Sequence, residues 1–324
     1  MIKAIRFSST GGPEVLNLEE IPLAAPAPGE ARVKIAAAGL NFIDVYYRTG
    51  LYPTALPSGL GMEAAGVIET VGEGVTAFAR GERVAYAMGP LGAYAQAVNI
   101  PVRHLVKIPA GVSEDVAAAI MLKGMTAEYL LCRTYPVKPG DTIVFYAAAG
   151  GVGLIACQWA KSLGATVIGV VGSEEKAALA RANGCAYTLI LGRDEIAKEV
   201  RALTNGAGVP VVYDSIGKDT ATISLDCLRP RGLLVSFGSS SGPLSYPNLG
   251  ILAQKGSLYL TRTTLGTYIA TREELDASAA ALFEKVGSGA VKISINQRYA
   301  LADAAQAHRD LEGRKTTGAS VLVP

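Results

Sequence analysis

Apolar positions along this chain follow two rhythms. Over the first ~120 residues they come in short runs broken by glycine and proline, the pattern of strands joined by turns. Ile2–Phe7, residues 31–37, Glu63–Val71 and Arg83–Ala87 read as strands, with turns at Gly11-Gly12-Pro13, Pro26-Ala27-Pro28-Gly29, Gly72-Glu73-Gly74 and Arg80-Gly81-Glu82. This predicts a mostly antiparallel, barrel-like β domain. Residues 114–122 and 125–134 are helical by period, and Pro136-Val137-Lys138-Pro139-Gly140-Asp141 breaks the chain before the next strand. From there strands and helices alternate. Thr142–Tyr146, 165–171, 188–191, Val209–Asp214, 233–238 and 257–261 are predicted strands; 154–163, 173–183, 195–203 and 220–228 are predicted helices between most of them. Alternation of this kind implies a parallel sheet covered on both faces. A long helix at 272–285, a strand at 291–295, a short helix at 302–311 and a terminal strand Ala319–Val323 close the chain.

The first strand of the alternating region ends in Ala147-Ala148-Ala149-Gly150-Gly151-Val152-Gly153, and a helical run follows it. A glycine-rich turn that opens a helix offers backbone N–H groups and a positive helix end to an anion, most often a pyrophosphate. The spacing is that of the dinucleotide fingerprint with alanine in place of its first glycine. An ordinary tight turn would look similar in isolation. Strand, turn, helix and second strand all in order point to a nucleotide cofactor held by Gly150, Gly151, Val152 and Gly153.

The tip of the second strand normally carries a carboxylate for the ribose of NAD. Here it reads Val170-Val171-Gly172-Ser173-Glu174-Glu175-Lys176, with Ser173 placed as a helix N-cap. Gly172, Ser173 and Lys176 suit a 2′-phosphate, which favours NADPH over NADH. The competing reading has Lys176 merely solvated and Glu174 reaching back to a ribose. Ser215 and the run Phe237-Gly238-Ser239-Ser240 close the fourth and fifth strands, where ligands of such sheets sit.

Composition narrows the class further. Half of the 324 residues are apolar, and 30 basic against 28 acidic residues give a net charge of +2. No basic stretch argues for nucleic acid, and no apolar run approaches the ~20 residues that span a bilayer. Four scattered cysteines without a CxxC pair suit a reducing compartment, so a cytoplasmic location is expected. Zinc asks for about four close Cys, His or carboxylate ligands. The two histidines, His104 and His308, stand far apart and read as surface or structural residues, so no metal is expected.

These residues together resemble a family, the medium-chain dehydrogenases/reductases, and within it the zinc-independent quinone oxidoreductases. The resemblance runs over essentially the whole chain. It is carried by Gly39-Leu40-Asn41-Phe42-Ile43-Asp44, Gly61-Met62-Glu63-Ala64-Ala65-Gly66, Gly81-Glu82-Arg83-Val84, the glycine-rich turn, Val212-Tyr213-Asp214-Ser215 and Val235-Ser236-Phe237-Gly238. It implies an α/β fold: a GroES-like β-rich catalytic domain (1–123, completed by 265–324) plus a Rossmann doubly wound parallel-sheet domain for NADPH (124–264), with an active-site cleft between them. Zinc members of the family place a cysteine and a histidine where this chain has Asn41 and Met62, and their four-cysteine lobe is missing after Val84-Ala85-Tyr86-Ala87.

Without a metal to stabilise an alkoxide, alcohol oxidation is disfavoured, and hydride delivery to an electrophilic acceptor is the easier chemistry. The resemblance places Asn41 and Asp44 near the nicotinamide ribose and amide, and Tyr46 and Tyr52 along the substrate pocket; each could instead cap a helix or fill a core. It also assigns Thr126 and Arg314 to the cofactor. One departure is Leu191, where several relatives carry a tyrosine near the adenine end. The expected activity is NADPH-dependent quinone reduction, with reduction of α,β-unsaturated carbonyls as the alternative. A nucleotide-binding protein with little catalysis, a sensor or an RNA binder, is a further alternative, although no aromatic and basic platform for RNA is present. A homodimer paired along the strand at 257–261 is also expected.

Overall fold

From Met1 to Lys107 each strand runs antiparallel to its neighbours. The strands are β1 (Ile2–Phe7), β2 (Asn17–Ile21), β3 (Glu30–Gly39), β4 (Ser58–Gly59), β5 (Glu63–Val71), β6 (Arg83–Ala87), β7 (Ala97–Pro101) and β8 (Val106–Lys107). The computed structural model describes all 324 residues, which fold as two units. The first is Met1–Met125, Ile269–Phe283 and Ile293–Pro324; the second is Thr126–Tyr268 and Glu284–Lys292.

In the first unit β2, β1 and β4 form a small sheet, and β3, β5, β6 and β8 lie in a larger one with β7 on β3. Helix α1 (Phe42–Thr49) follows β3, and α2 (Glu114–Tyr129) starts in this unit. The first four residues of β5, Glu63 to Gly66, are all buried, because both faces of the strand are covered there. Phe7, Leu40, Leu60, Tyr86 and Tyr94 are the large side chains of the core.

The second unit is one sheet of six parallel strands: β9 (Thr142–Tyr146), β10 (Thr166–Val171), β11 (Tyr187–Ile190), β12 (Val209–Asp214), β13 (Leu228–Ser236) and β14 (Tyr259–Arg262). Their spatial order is β11-β10-β9-β12-β13-β14, the doubly wound arrangement in which strand order reverses beside the first strand. Helices α3 (Gly151–Ser162), α4 (Glu174–Ala182), α5 (Ile196–Leu203), α6 (Ala221–Asp226) and α7 (Gly250–Gln254) connect them, and α8 (Leu265–Tyr268) follows the last strand. β9 and β12 are buried almost throughout, as an internal strand covered on both faces must be.

The chain ends with α9 (Arg272–Gly287), β15 (Ile295–Ala300), α10 (Ala304–Glu312) and β16 (Ala319–Val323). β16 joins the large sheet of the first unit antiparallel to β3, and β15 adds parallel to β16. Two expectations need correction. The pause between 122 and 125 is no break: α2 runs through it, and Gly124 is the place where Leu282 of α9 packs close. The strand expected at 291–295 begins at Ile295, because the Gln158 side chain takes both the N–H and the carbonyl of Lys292, leaving no ladder to form there. Leu258, just before β14, is buried and Leu260 within it half-buried, whereas Tyr259, 62% accessible, and Arg262 are exposed along this edge.

Candidate active site

In the first unit Asn41 stands at the N-cap of α1 with extended backbone (φ −137°, ψ 153°). Its N–H donates to Asp44 Oδ2 at 2.9 Å, the carboxylate half of a capping box. Asp44 is fully buried and also accepts from the Tyr94 hydroxyl at 2.7 Å, while its Oδ1 has no partner. Burial pushes the Asp44 carboxyl up to about 7. The Tyr94 and Asn41 hydrogen bonds and the Lys123 charge pull the other way, and Glu63 adds to the rise.

The Asn41 side chain is tied down separately. Its Nδ2 donates to Glu63 Oε2 at 2.7 Å. The same carboxylate accepts from Lys123 Nζ at 3.0 Å and from the backbone N–H of Leu122 at 2.7 Å. Glu63 and Lys123 are both buried, so strand β5, helix α2 and the start of α1 are joined by one carboxylate. Sequence reasoning passed over this pair as a site. The available signal was a lone charge inside each of two apolar runs, since an interior charge must be paired.

One turn along α1, Tyr46 is buried and Tyr52 half-buried, with ring centroids 5.3 Å apart and edge to face. Tyr47 packs on Tyr52 from the other side at 5.6 Å. Arg48, also on α1, is 1% accessible and grips both Glu312 carboxylate oxygens at 2.7 and 2.8 Å. Its Nη1 also meets His308 Nδ1 at 3.1 Å. A guanidinium only donates, so Nδ1 is the acceptor and the imidazole proton sits on Nε2. His308 therefore holds a buried structural place, and burial with the Arg48 charge pushes its pKa down to about 3. Arg314 lies two residues past Glu312, exposed and in the left-handed region (φ 58°).

In the second unit the glycine-rich turn sits at the carboxyl end of β9, where the strand order reverses. Gly150 donates to the Ala147 carbonyl at 2.8 Å and caps α3 without any side-chain acceptor. The first-turn N–H groups of Gly151 and Val152, both half-buried, therefore face outward with no capping oxygen. Gly153 is demanded by packing: a Cβ there would stand 2.3 Å from the Ala147 carbonyl oxygen.

Next to it, Ser173 caps α4 by accepting from the Lys176 N–H at 3.3 Å. A Cβ on Gly172 would meet nothing, so the strand tip is open. The Glu174 carboxylate is engaged by Arg193 at 3.0 Å and by Arg181 at 3.3 Å, and these bonds hold its pKa below the usual range. Leu191 is half-buried and donates its N–H to the Val171 carbonyl at 2.8 Å. At the other strand ends, Ser240 donates its N–H to the Ser215 carbonyl at 3.2 Å, and Gly238 lies hard against Ser215. Phe237 packs on Phe145 at 5.5 Å, and Ser239 accepts from the Gly242 N–H through its carbonyl at 3.0 Å. Thr126 is buried on α2. Thus Asn41, Asp44, Tyr46 and Tyr52 gather around one helix of the first unit. Gly150 to Gly153, Gly172, Ser173 and Lys176 gather at the strand tips of the second, as do Ser215 and residues 237–240.

The model of the alcohol dehydrogenase GroES-like domain matches residues 27–110, and that of the zinc-binding dehydrogenase matches residues 151–285. The chain is 56% identical over 325 residues to a quinone oxidoreductase of Pseudomonas aeruginosa, covering 100% of both. The chain belongs to the quinone oxidoreductase family of medium-chain dehydrogenases/reductases. Among further relatives of this family, a 2-haloacrylate reductase of Burkholderia is 45% identical over 334 residues, covering 100% of this chain and 99% of that protein. The crystal structure of the Escherichia coli quinone oxidoreductase complexed with NADPH superposes with a TM-score of 0.98 at 50% identity, covering 99% of this chain and 100% of that one. In this member, no group of three or more His, Cys, Asp or Glu side chains gathers in a form able to hold a metal ion. No helix is long and apolar enough to cross a membrane.

Proposed function

We propose that this chain reduces quinones with NADPH, without a catalytic metal. The observation that carries the cofactor half is the strand tip at Gly172 and Ser173. It is open, it has a half-buried lysine one turn on, and the first carboxylate after it, Glu174, is engaged by two arginines. A free carboxylate there would repel a 2′-phosphate; an engaged one does so less. The uncapped start of α3 fits a pyrophosphate, with Gly151 and Val152 donating and Gly150 and Gly153 keeping the backbone close.

In this reading Ser173, Gly172 and Lys176 hold the 2′-phosphate, and Arg314 a phosphate oxygen. Asn41, Asp44 and Thr126 hold the nicotinamide ribose and amide, while Ser215, Phe237, Gly238, Ser239 and Ser240 line the remaining strand tips. NADPH, when bound, supplies the hydride. The protein orients the two reactants and keeps water away. Tyr46 and Tyr52 offer flat faces and hydroxyls to a quinone ring and its oxygens. Asn41 and Met62 occupy the positions where zinc members carry ligands, so the acceptor must already be electrophilic.

Likeness to the 2-haloacrylate reductase supports activated double bonds as a second class of acceptor. Oxidation of NADPH and NADH is to be followed with a simple benzoquinone and with a 2-haloacrylate as acceptors. Faster turnover with NADPH and the quinone is expected; turnover with the haloacrylate alone, or a preference for NADH, would overturn the reading. We assign the protein to the cytoplasm as a homodimer paired through β14, whose exposed Tyr259 marks an unpaired sheet edge.

A further inference from the structure

We propose that the buried Lys123–Glu63 ion pair is the positioning element of Asn41, turning its amide nitrogen toward Glu63 and presenting its carbonyl oxygen as acceptor for a nicotinamide ribose hydroxyl. The inference rests on the placement of Asn41 at that ribose.

An asparagine amide can be turned end for end at little intrinsic cost, and only its partners decide which pole faces where. Here one partner is the capping-box N–H of Asp44, which faces the Asn41 side chain, and the other is a carboxylate that also accepts from the Lys123 ammonium and the Leu122 N–H. With donors filling its other directions, Glu63 acts on Asn41 as an acceptor, and the 2.7 Å contact fixes nitrogen against it. The orientation of the amide therefore follows from the partners of Asn41, the Lys123-paired carboxylate first among them.

The fold makes room for this carboxylate in a specific way. A Cβ on Gly39 would stand 1.9 Å from Glu63 Oε2 and 2.6 Å from the Ala118 carbonyl oxygen, so the strand is bare where the carboxylate lies. Glu63 and Lys123 side chains are 0% and 6% accessible. Removing two charges from water is poorly repaid in stability, and well-packed apolar residues often serve as well. A pair kept under those terms is better accounted for by what it orients.

The test reads NADPH binding by the fluorescence of the cofactor itself, and needs no turnover. K123M alone would strand a buried carboxylate and compromise folding, so the informative variant is the neutral double E63Q/K123M, compared with N41A and with the triple variant. The double variant is expected to melt cooperatively and to raise the Kd for NADPH by ~10-fold, equivalent to about 1.4 kcal/mol. N41A should weaken binding to a similar degree. The triple variant should bind like N41A alone, because two changes acting through one side chain do not add. A double variant that melts lower yet binds NADPH as the parent does would show a purely structural pair and overturn the proposal, as would a triple variant that multiplies the two losses. If N41A itself leaves the Kd unchanged, the placement of Asn41 fails and takes the proposal with it.

Discussion

Asp44 and His308 are joined through Tyr94, whose hydroxyl donates to Asp44 Oδ2 at 2.7 Å and whose ring meets the imidazole edge-on at 6.0 Å. Their protonation runs in opposite senses. Asp44, raised from 3.8 to about 7, holds a proton in the fold that the unfolded chain has released. Its contribution is therefore most favourable below pH ~4 and is lost as pH rises toward 7. His308, lowered from 6.5 to about 3, lacks a proton in the fold that the unfolded chain binds. Its contribution is intact above pH ~6.5 and is lost on acidification. Between those limits the two slopes oppose each other.

Separating them gives the first test. D44N, which keeps an acceptor for Tyr94, should be more stable than the parent at pH ~8, by ~2–4 kcal/mol, and should lose that advantage toward pH ~4. H308Q should lose less stability than the parent on going from pH ~7 to ~4. Melting temperatures across this range decide it; parallel curves for parent and D44N would show that Asp44 titrates normally.

The Arg48–Glu312 clamp holds α1, and with it Asn41 and Asp44, to the end of α10. Glu312 is one-third exposed, whereas Arg48 is 1% accessible. E312A is thus expected to destabilise by roughly 2 kcal/mol, below the ~3–5 kcal/mol of a fully buried pair because water can reach the vacated place. Urea denaturation measures this, and a midpoint within error of the parent would count against the clamp.

Cofactor choice can be tested where α4 starts. S173D retains an N-cap oxygen but adds a negative charge, so the ratio of kcat/KM for NADPH over NADH should fall by ~10–100-fold with little change in melting temperature. K176A should lower the same ratio less. A ratio unmoved by both would place the 2′-phosphate elsewhere.

G153A inserts a methyl group 2.3 Å from the Ala147 carbonyl oxygen. The turn or the start of α3 must then shift, and NADPH affinity should fall by at least ~10-fold. Titration with NADPH reads the effect directly, and an unchanged Kd would mean that the cradle is not where the cofactor binds.

Homodimer formation is open to a simple check. Y259K adds charge to the exposed edge of β14 and should shift the mass in solution from two chains to one. A parent protein that is already monomeric by light scattering would refute pairing along that edge.

The alternating half of the chain was legible because its strands are buried on both faces and bounded by glycine, so Thr142–Tyr146 and Val209–Asp214 carry their limits in the sequence. The glycine-rich turn was legible for the same reason, as a local device. What stayed hidden was long-range. Glu63 and Lys123 are 60 positions apart, and only the folded sheet and helix bring them together. The engagement of Glu174 by Arg193, 19 positions on, is likewise a contact that only the fold makes. The strand near 291 was misplaced because one glutamine from α3 outcompeted a sheet neighbour.

The reversal of strand order beside β9 has a thermodynamic corollary. A dinucleotide seated there draws on loops that end strands of both halves of the sheet, and the unfolded chain offers it no such arrangement. Saturation at ~100 times the Kd would then add about 2.7 kcal/mol to the stability of the folded chain. The melting temperature should therefore climb with the dinucleotide concentration, as an effect of occupancy of the cradle and not of its chemistry.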